Sequence, residues 1–363
     1  MSAIDSELPS HNGGRATRTE VTQKLSHNRS PGRTVTSSHV TPRARLLVTR
    51  ALPQSAMDLV YGRFEAWVNP DDRTMTRDEI VSAALRHQPD VVLVMAMDNI
   101  DKALLAGLPP CVRTIATYSV GHDHIDLAAA RARGIAILST PDVLSDAVAE
   151  IAVMLMLCAA RRAREGALML YEGRWQGWSP TQLLGRDLTG ARLGVFGMGR
   201  IGRTIARKAH RGFEMPVHYH NRSRLDAADE DGATYHADIV SLLSVSDVLV
   251  LAAPSTAATK GFLNTGAIRL LPAGAIVVNI ARGDLIDDAA LIDALRSGRI
   301  AAAGLDVFNG EPALNPGYLT LPNVFLQPHQ GSSTIGTRMR MAQLLLDSVV
   351  ASLAGTKVAN RLA

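Results

Sequence analysis

Along most of the chain, short apolar runs that read as strands alternate with stretches of helical periodicity, the pattern of a parallel α/β architecture. Two blocks separate. The first opens with residues 45–49 (Arg-Leu-Leu-Val-Thr) and continues through a helix from about Gln54 and the run 91–94. It reaches 114–117 just before Ser119, Val120 and Gly121, and closes near 135–138. The second opens with residues 192–196 (Arg-Leu-Gly-Val-Phe) and repeats strand and helix through 217–219, 248–251, 276–278, 302–304 and 324–326. Between them, residues 146–162 are apolar almost all round and long enough for a buried helix, which suits a connector wedged between two lobes and carrying the hinge. Residues 171–188 hold two of the three tryptophans, Trp175 and Trp178, together with Pro180 and several glycines. That composition breaks the periodicity, predicts an irregular arm, and favours packing on a partner subunit. A helical run over 337–354 is expected to cross back to the first lobe.

With 363 residues, 47 % hydrophobic and 20 % charged, the chain has room for two domains with cores of their own, which excludes a disordered, collagenous or disulfide-scaffold protein. Cys111 and Cys158 lie in apolar stretches without metal-like spacing. They read as inert core thiols in a reducing compartment, the cytoplasm, and no metal site is expected. The longest uninterrupted apolar run, residues 151–160, is far short of the roughly 18 residues of a membrane span, so no membrane partner is expected. A net charge of +4 suggests nucleic acid until it is located. Residues 1–44 carry Arg15, Arg18, Lys24, Arg29, Arg33 and Arg43 against Asp5, Glu7 and Glu20, a surplus of three, which leaves a nearly neutral body and no nucleic-acid partner. The same 44 residues are rich in Ser, Thr, His, Asn and Gly without apolar period, so they are expected to be disordered. They read as a dispensable extension, with a transit peptide as the alternative, and lack the apolar core of a secretory signal.

The chemistry is written at strand ends. Gly197, Met198, Gly199, Arg200, Ile201 and Gly202 follow the strand at 192–196 and open a helix, the context that makes a glycine fingerprint specific for a dinucleotide. The first glycine permits the tight turn, the second lets the backbone approach a pyrophosphate, and the third lets helix and strand pack closely. The helix N-terminus binds the anion. The next strand of such a fold normally ends in an acid that holds the ribose hydroxyls. Here Asn221, Arg222, Ser223 and Arg224 stand in its place. Donors and positive charge favour a 2′-phosphate, so NADP(H) is expected over NAD(H). The alternative is an ordinary solvated loop beside Asp226 and Asp229, with NAD still possible. Arg282, Glu311 and His329 then follow successive apolar elements, where strand ends on one sheet edge converge. His329 can donate a proton near neutral pH, Glu311 can orient the ring, and Arg282 can grip a carboxylate. Taken singly, His329 reads more readily as a loop histidine, and Arg282 and Glu311 as surface charges.

Together these residues resemble the D-isomer-specific 2-hydroxyacid dehydrogenase family. The matches run from about residue 45 to 354 and include 48–53, 119–123, 140–150, 197–202, 279–283, 303–308 with Glu311 and Pro312, and 328–332. Within the family the Val-Thr-Arg opening, the Trp-containing arm and the Asn-Arg-Ser loop are most similar to the glyoxylate and hydroxypyruvate reductases. The resemblance implies a catalytic triad of Arg282, Glu311 and His329, and cofactor contacts at Pro254, Ala281 and Asp306, the last on the nicotinamide carboxamide. It also implies a substrate carboxylate cradled by the Val120 and Gly121 amides beside Arg282, and a homodimer. Consecutive N–H groups form an anion nest in their own right, although a plain turn is the simpler reading. Ser145, Ser255 and Ala257 depart mildly from the family pattern near the cofactor.

The fold expected is α/β, with two doubly wound parallel-sheet lobes and a cleft between them. A flavodoxin-like substrate lobe would span 45–145 plus 332–363, and a Rossmann cofactor lobe 146–331. The expected function is reduction of a small 2-oxo acid to the D-2-hydroxy acid with NADPH. The alternatives are another member of the family, of phosphoglycerate, 2-ketogluconate or hydroxyphenylpyruvate type, and a non-enzymatic nucleotide-sensing protein on the same fold.

Overall fold

The computed structural model describes residues 43–363. The expected disorder of residues 1–44 therefore lies, but for Arg43 and Ala44, outside the described residues. Two all-parallel sheets carry the chain. The first is built from β1 (Arg45–Val48), β2 (Glu65–Val68), β3 (Val91–Val94), β4 (Thr114–Thr117) and β5 (Ala136–Leu138) in the order β2-β1-β3-β4-β5. This is the flavodoxin-like winding. Helices α1 (Gln54–Arg63), α2 (Arg77–His87), α3 (Lys102–Gly107) and α4 (Leu127–Ala132) make the crossovers. Strands β3 and β4 are buried on both faces, which is why β3 is continuously apolar rather than alternating, while β4 carries a threonine at each end of its Ile-Ala pair. Strand β2, absent from the sequence expectation, lies at the sheet edge with no fully buried residue, so it leaves no apolar signature.

Next come α5 (Ser145–Ala160), α6 (Ala163–Tyr171) and an irregular stretch to residue 192. A seven-stranded sheet follows, from β6 (Leu193–Phe196), β7 (Val217–His220), β8 (Thr234–Tyr235), β9 (Val248–Leu251), β10 (Ala275–Asn279), β11 (Ile300–Leu305) and β12 (Val324–Leu326). Its order is β12-β11-β10-β9-β6-β7-β8. The winding reverses at β6, so the switch point where a doubly wound sheet opens to a ligand lies at the end of that strand. Helices α7 (Arg200–Phe213), α8 (Ala227–Glu230), α9 (Ile239–Val245), α10 (Thr265–Leu270) and α11 (Asp288–Arg296) cover the sheet.

The expected connector is α5, which buries Ala147, Val148, Ala152, Leu155, Met156, Ala159 and Ala160. A Cβ on Gly304 of β11 would lie 2.8 Å from Leu155, so glycine there lets the helix rest directly on the sheet. Burial of Leu155 and Met156 contributes about 1.5–3 kcal/mol each. One hydrophobic core runs from Leu46 and Met57 through α5 to Val195 and Val278. The final helix, α12 (Ile335–Leu353), sets Met341, Leu345 and Val349 into that core, and Arg63 of α1 pairs with its Asp347. The chain thus returns to the first sheet. Among the described residues no helix is long and apolar enough to cross a membrane.

Candidate functional site

The expected site residues sit at the carboxyl ends of strands in both sheets: Val120 and Gly121 past β4, the glycine loop past β6, residues 221–224 past β7, Pro254 past β9, Ala281 and Arg282 past β10, Asp306 and Glu311 past β11, and His329 past β12. The three glycines of the loop are required for three different reasons. Gly197 has φ +100, and a Cβ there would lie 2.4 Å from the Ala253 amide nitrogen. A Cβ on Gly202 would lie 2.3 Å from the Gly197 carbonyl. Around Gly199 nothing stands within 4 Å of that position, which leaves open space over the backbone at the start of α7. That open backbone at a helix N-terminus fits a pyrophosphate. Arg200 reaches across to Asp142 at 2.9 Å, while Met198 is buried and Ile201 packs against the core.

The loop past β7 divides its labour in a way the sequence did not indicate. Asn221 braces the glycine loop: its Oδ1 accepts the Met198 N–H at 2.7 Å. Arg224 turns away onto Glu230, donating from Nε and Nη2 at 2.8 and 3.0 Å. The same carboxylate accepts the Tyr219 hydroxyl at 2.7 Å, and that hydroxyl accepts the Leu225 N–H at 3.0 Å. The Arg224 guanidinium beside Glu230 holds this carboxyl down at about 2. All three of Arg222, Ser223 and Arg224 are exposed, but Arg224 is held by Glu230 as Asn221 is by the glycine loop, whereas the side chains of Arg222 and Ser223 have no partner among the described residues.

Arg282, Glu311 and His329 converge. His329 Nδ1 lies 2.7 Å from Glu311 Oε2, and the other Glu311 oxygen accepts the Phe308 N–H at 2.7 Å. Burial raises the Glu311 carboxyl, but the histidine, the Phe308 amide and the Arg282 charge outweigh it and leave it below its ordinary value. With Nδ1 engaged, the Nε2 edge of His329 is the one left to face a ligand. His329 itself sits at φ +54, in the left-handed region. Asp306, 1 % exposed, sustains that turn: its two oxygens accept the Gln330 and Gly331 N–H groups at 2.7 and 2.8 Å, and its carbonyl accepts that of His329 at 2.8 Å. Burial pushes the Asp306 carboxyl up. Its observed contacts are therefore with the turn that carries the histidine, a task the resemblance did not imply.

Arg282 is held from both sheets. Asn279, fully buried, donates to the Arg282 carbonyl at 2.8 Å and accepts the Ala281 N–H at 3.0 Å, which fixes the loop past β10. The guanidinium lies against Gly121, where a Cβ would come within 1.8 Å of Nη2. It pairs with Asp123 at 2.8 Å. Among the described residues neither the Val120 nor the Gly121 N–H has an acceptor, so two unpaired consecutive amides lie next to a guanidinium. Asn279 and Asp123 were passed over in sequence because each stood inside a matched motif with no local feature to mark a contact. Pro254 is exposed beside the loop 255–259, and its carbonyl accepts the Thr259 hydroxyl at 2.8 Å.

The family model described as D-isomer specific 2-hydroxyacid dehydrogenase, NAD binding domain, matches residues 153–331. The glycerate dehydrogenase of Hyphomicrobium methylovorum is 41 % identical over 321 residues, which are 88 % of this chain and 99 % of that protein. A solved structure of a putative D-isomer specific 2-hydroxyacid dehydrogenase, NAD-binding, from Polaromonas sp. is similar with a TM-score of 0.84 at 49 % identity, covering 89 % of this chain and 100 % of its own. The NADPH-dependent glyoxylate/hydroxypyruvate reductase of Sinorhizobium meliloti, in complex with NADP and malonate, is similar with a TM-score of 0.77 at 32 % identity, covering 88 % and 97 %.

Proposed function

This chain belongs to the D-isomer-specific 2-hydroxyacid dehydrogenases, NAD(P)-dependent oxidoreductases, and on that premise we propose that it reduces a short 2-oxo acid, glyoxylate or hydroxypyruvate, with NADPH. The observation that carries this reading is the pairing of a proton donor with an anion grip in one cleft: His329 on Glu311 at 2.7 Å, and Arg282 beside the open amides of Val120 and Gly121. When bound, the nicotinamide supplies a hydride to the carbonyl carbon. The amides of Val120 and Gly121 and the free N–H groups of Arg282 hold the substrate carboxylate and orient the carbonyl. His329 delivers a proton from Nε2 to the carbonyl oxygen, and Glu311 stabilises the imidazolium from which that proton leaves. One hydride and one proton convert the 2-oxo acid to the 2-hydroxy acid, glycolate from glyoxylate and D-glycerate from hydroxypyruvate. The names glycerate dehydrogenase and glyoxylate/hydroxypyruvate reductase borne by two relatives support these substrates.

NADPH is favoured by the exposed Arg222 and Ser223, which stand where a carboxylate would repel a 2′-phosphate. The Sinorhizobium relative, NADPH-dependent by its title, supports the same choice. Oxidation of NADPH and NADH is to be followed against glyoxylate, hydroxypyruvate, pyruvate, phenylpyruvate and 2-ketogluconate. The first two are expected to turn over fastest, with the larger kcat/KM for NADPH. Arg222→Ala lowers kcat/KM for NADPH by about ten-fold or more and leaves NADH unchanged, since a charged hydrogen bond contributes about 1.5–3 kcal/mol. Arg224→Ala instead lowers Tm and affects both cofactors alike, because it leaves the buried Glu230 carboxylate without its cation and with only the Tyr219 hydroxyl. A larger kcat/KM for NADH in the wild type overturns the NADPH assignment, and no turnover of any 2-oxo acid overturns the reaction.

We also infer a homodimer formed through the arm past α6. In the single chain it exposes Tyr171, Trp175, Trp178 and Leu184, the last three at 52, 83 and 66 %. Contiguous aromatic exposure of this kind marks an interface. Sedimentation should give twice the chain mass, and Trp175→Ser with Trp178→Ser should shift the equilibrium to monomer; a monomeric wild type refutes it. The two unpaired cysteines suit a reducing compartment, which supports a cytoplasmic location.

A further inference from the structure

We propose that Asp123 is the positioning residue of Arg282, fixing which N–H groups of the guanidinium the substrate meets. This rests on the reading of Arg282 as the substrate's carboxylate grip. The argument is a donor count. A guanidinium has five N–H groups and no acceptor. The Nε–H goes to the two Asp123 oxygens at 3.1 Å each, one Nη2 hydrogen to Oδ1 at 2.8 Å, and one Nη1 hydrogen to the Ala281 carbonyl at 2.8 Å. Two N–H groups remain, one on each terminal nitrogen, the number that a two-pronged grip on a carboxylate or on a carboxylate and its neighbouring carbonyl uses. Without Asp123 the Nε and Nη2 edge is open as well, and a substrate anion can bind there with its carbonyl misplaced relative to His329.

The support of Asp123 is itself built. The turn that carries it is closed by the Ile125 N–H on the His122 carbonyl at 3.0 Å and tied to the next loop by the Ile100 N–H on the His124 carbonyl at 2.8 Å. His124 Nε2 meets the Thr117 hydroxyl at 3.0 Å, Thr117 meets the Ser119 hydroxyl at 2.7 Å, and Ser119 donates to the Gly121 carbonyl at 2.6 Å. Burial pushes His124 down to about 4, so this chain of hydrogen bonds is anchored by a neutral ring at working pH. Burial also raises the Asp123 carboxyl, yet Arg282 more than compensates and leaves it below its ordinary value. The charged groups around Arg282 are then Asp123 from the first sheet and Glu311 from the second. Asp123 follows β4 and Arg282 follows β10, so the contact couples the direction of the guanidinium to the meeting of the two lobes.

The test is Asp123→Asn, which keeps the volume and removes the charge. It is expected to lower kcat for glyoxylate by about 30-fold or more while KM moves by less than about three-fold, because loss of orientation and loss of a nearby negative charge act oppositely on ground-state carboxylate binding. In the Arg282→Ala background the same change is expected to cause no further fall in kcat. A kcat within three-fold of wild type, or the same fall in both backgrounds, overturns the proposal, since a residue that merely builds the loop acts whether or not the arginine is present. An arginine-labelled NMR spectrum gives a readout that needs no turnover. The Nε–H resonance that disappears in Arg282→Ala is expected to be protected from exchange in the wild type and unprotected in Asp123→Asn; unchanged protection sinks the clamp. If the wild type turns over no 2-oxo acid, the functional reading fails while this spectrum still decides the clamp.

Discussion

Replacement of His329 by alanine is expected to lower kcat for 2-oxo acid reduction by a factor of about 10² to 10⁴, with a far smaller change in KM. The proton must reach the carbonyl oxygen as the hydride reaches carbon, and the imidazole is the group poised to give it. Glu311 Oε2 lies 2.7 Å from Nδ1 and so fixes the ring with its Nε2 edge turned outward. The loss is expected on kcat because the proposed mechanism assigns the carboxylate to Arg282 and the amides of residues 120 and 121. His329→Gln should fail likewise, since an amide can fill the volume and donate a hydrogen bond but cannot transfer the proton. A steady-state comparison at saturating NADPH decides the point, and a variant with the wild-type kcat removes His329 from the reaction. Tm guards against a trivial cause: the left-handed backbone at this position is held by Asp306 through main-chain amides, so truncation of the ring leaves the turn in place.

Arg282→Ala is expected to reduce kcat/KM for glyoxylate by about 10³, with KM raised and kcat lowered together. A bidentate charged contact contributes several kcal/mol, and each 1.4 kcal/mol is a factor of ten. The change also strands Asp123, whose carboxylate then faces the incoming substrate carboxylate with no cation between them. Arg282→Lys should recover little of the activity. One ammonium cannot at once satisfy Asp123, the Ala281 carbonyl and a substrate anion in the planar geometry of the fork. An unchanged KM for glyoxylate in Arg282→Ala would take the carboxylate grip away from this residue and leave it to the amides alone.

The candidate site was legible in sequence wherever a local backbone requirement had to be met. Gly197 and Gly202 are forced by a positive φ and by close approaches of 2.4 and 2.3 Å, so the fingerprint after a buried strand could be read directly. Strands β3 and β9 stand at the residues their apolar runs marked, because burial on both faces of the sheet demands continuous apolar chemistry. Strand β2 was not legible, being a half-exposed edge strand in which burial imposes no pattern. Arg222 and Arg224 look alike in sequence. Only the position of Glu230, six residues after Arg224, separates a residue left open to a ligand from one fastened to the protein.

The sequence by itself determined the two parallel α/β lobes and the glycine loop past β6, and it marked Arg282, Glu311 and His329 as polar residues at successive strand ends. Hydrophobic period, glycine placement and strand-end chemistry are set within a few residues of one another. The tertiary structure alone decided how those groups are held. Asp123 meets Arg282 across 159 residues, and Asp306 supports the turn of His329 through backbone amides 24 and 25 residues away. Such contacts arise from the juxtaposition of strand ends and of two lobes. The energy of a side-chain pair depends on distance and burial in space, neither of which is encoded in the neighbours of either residue along the chain.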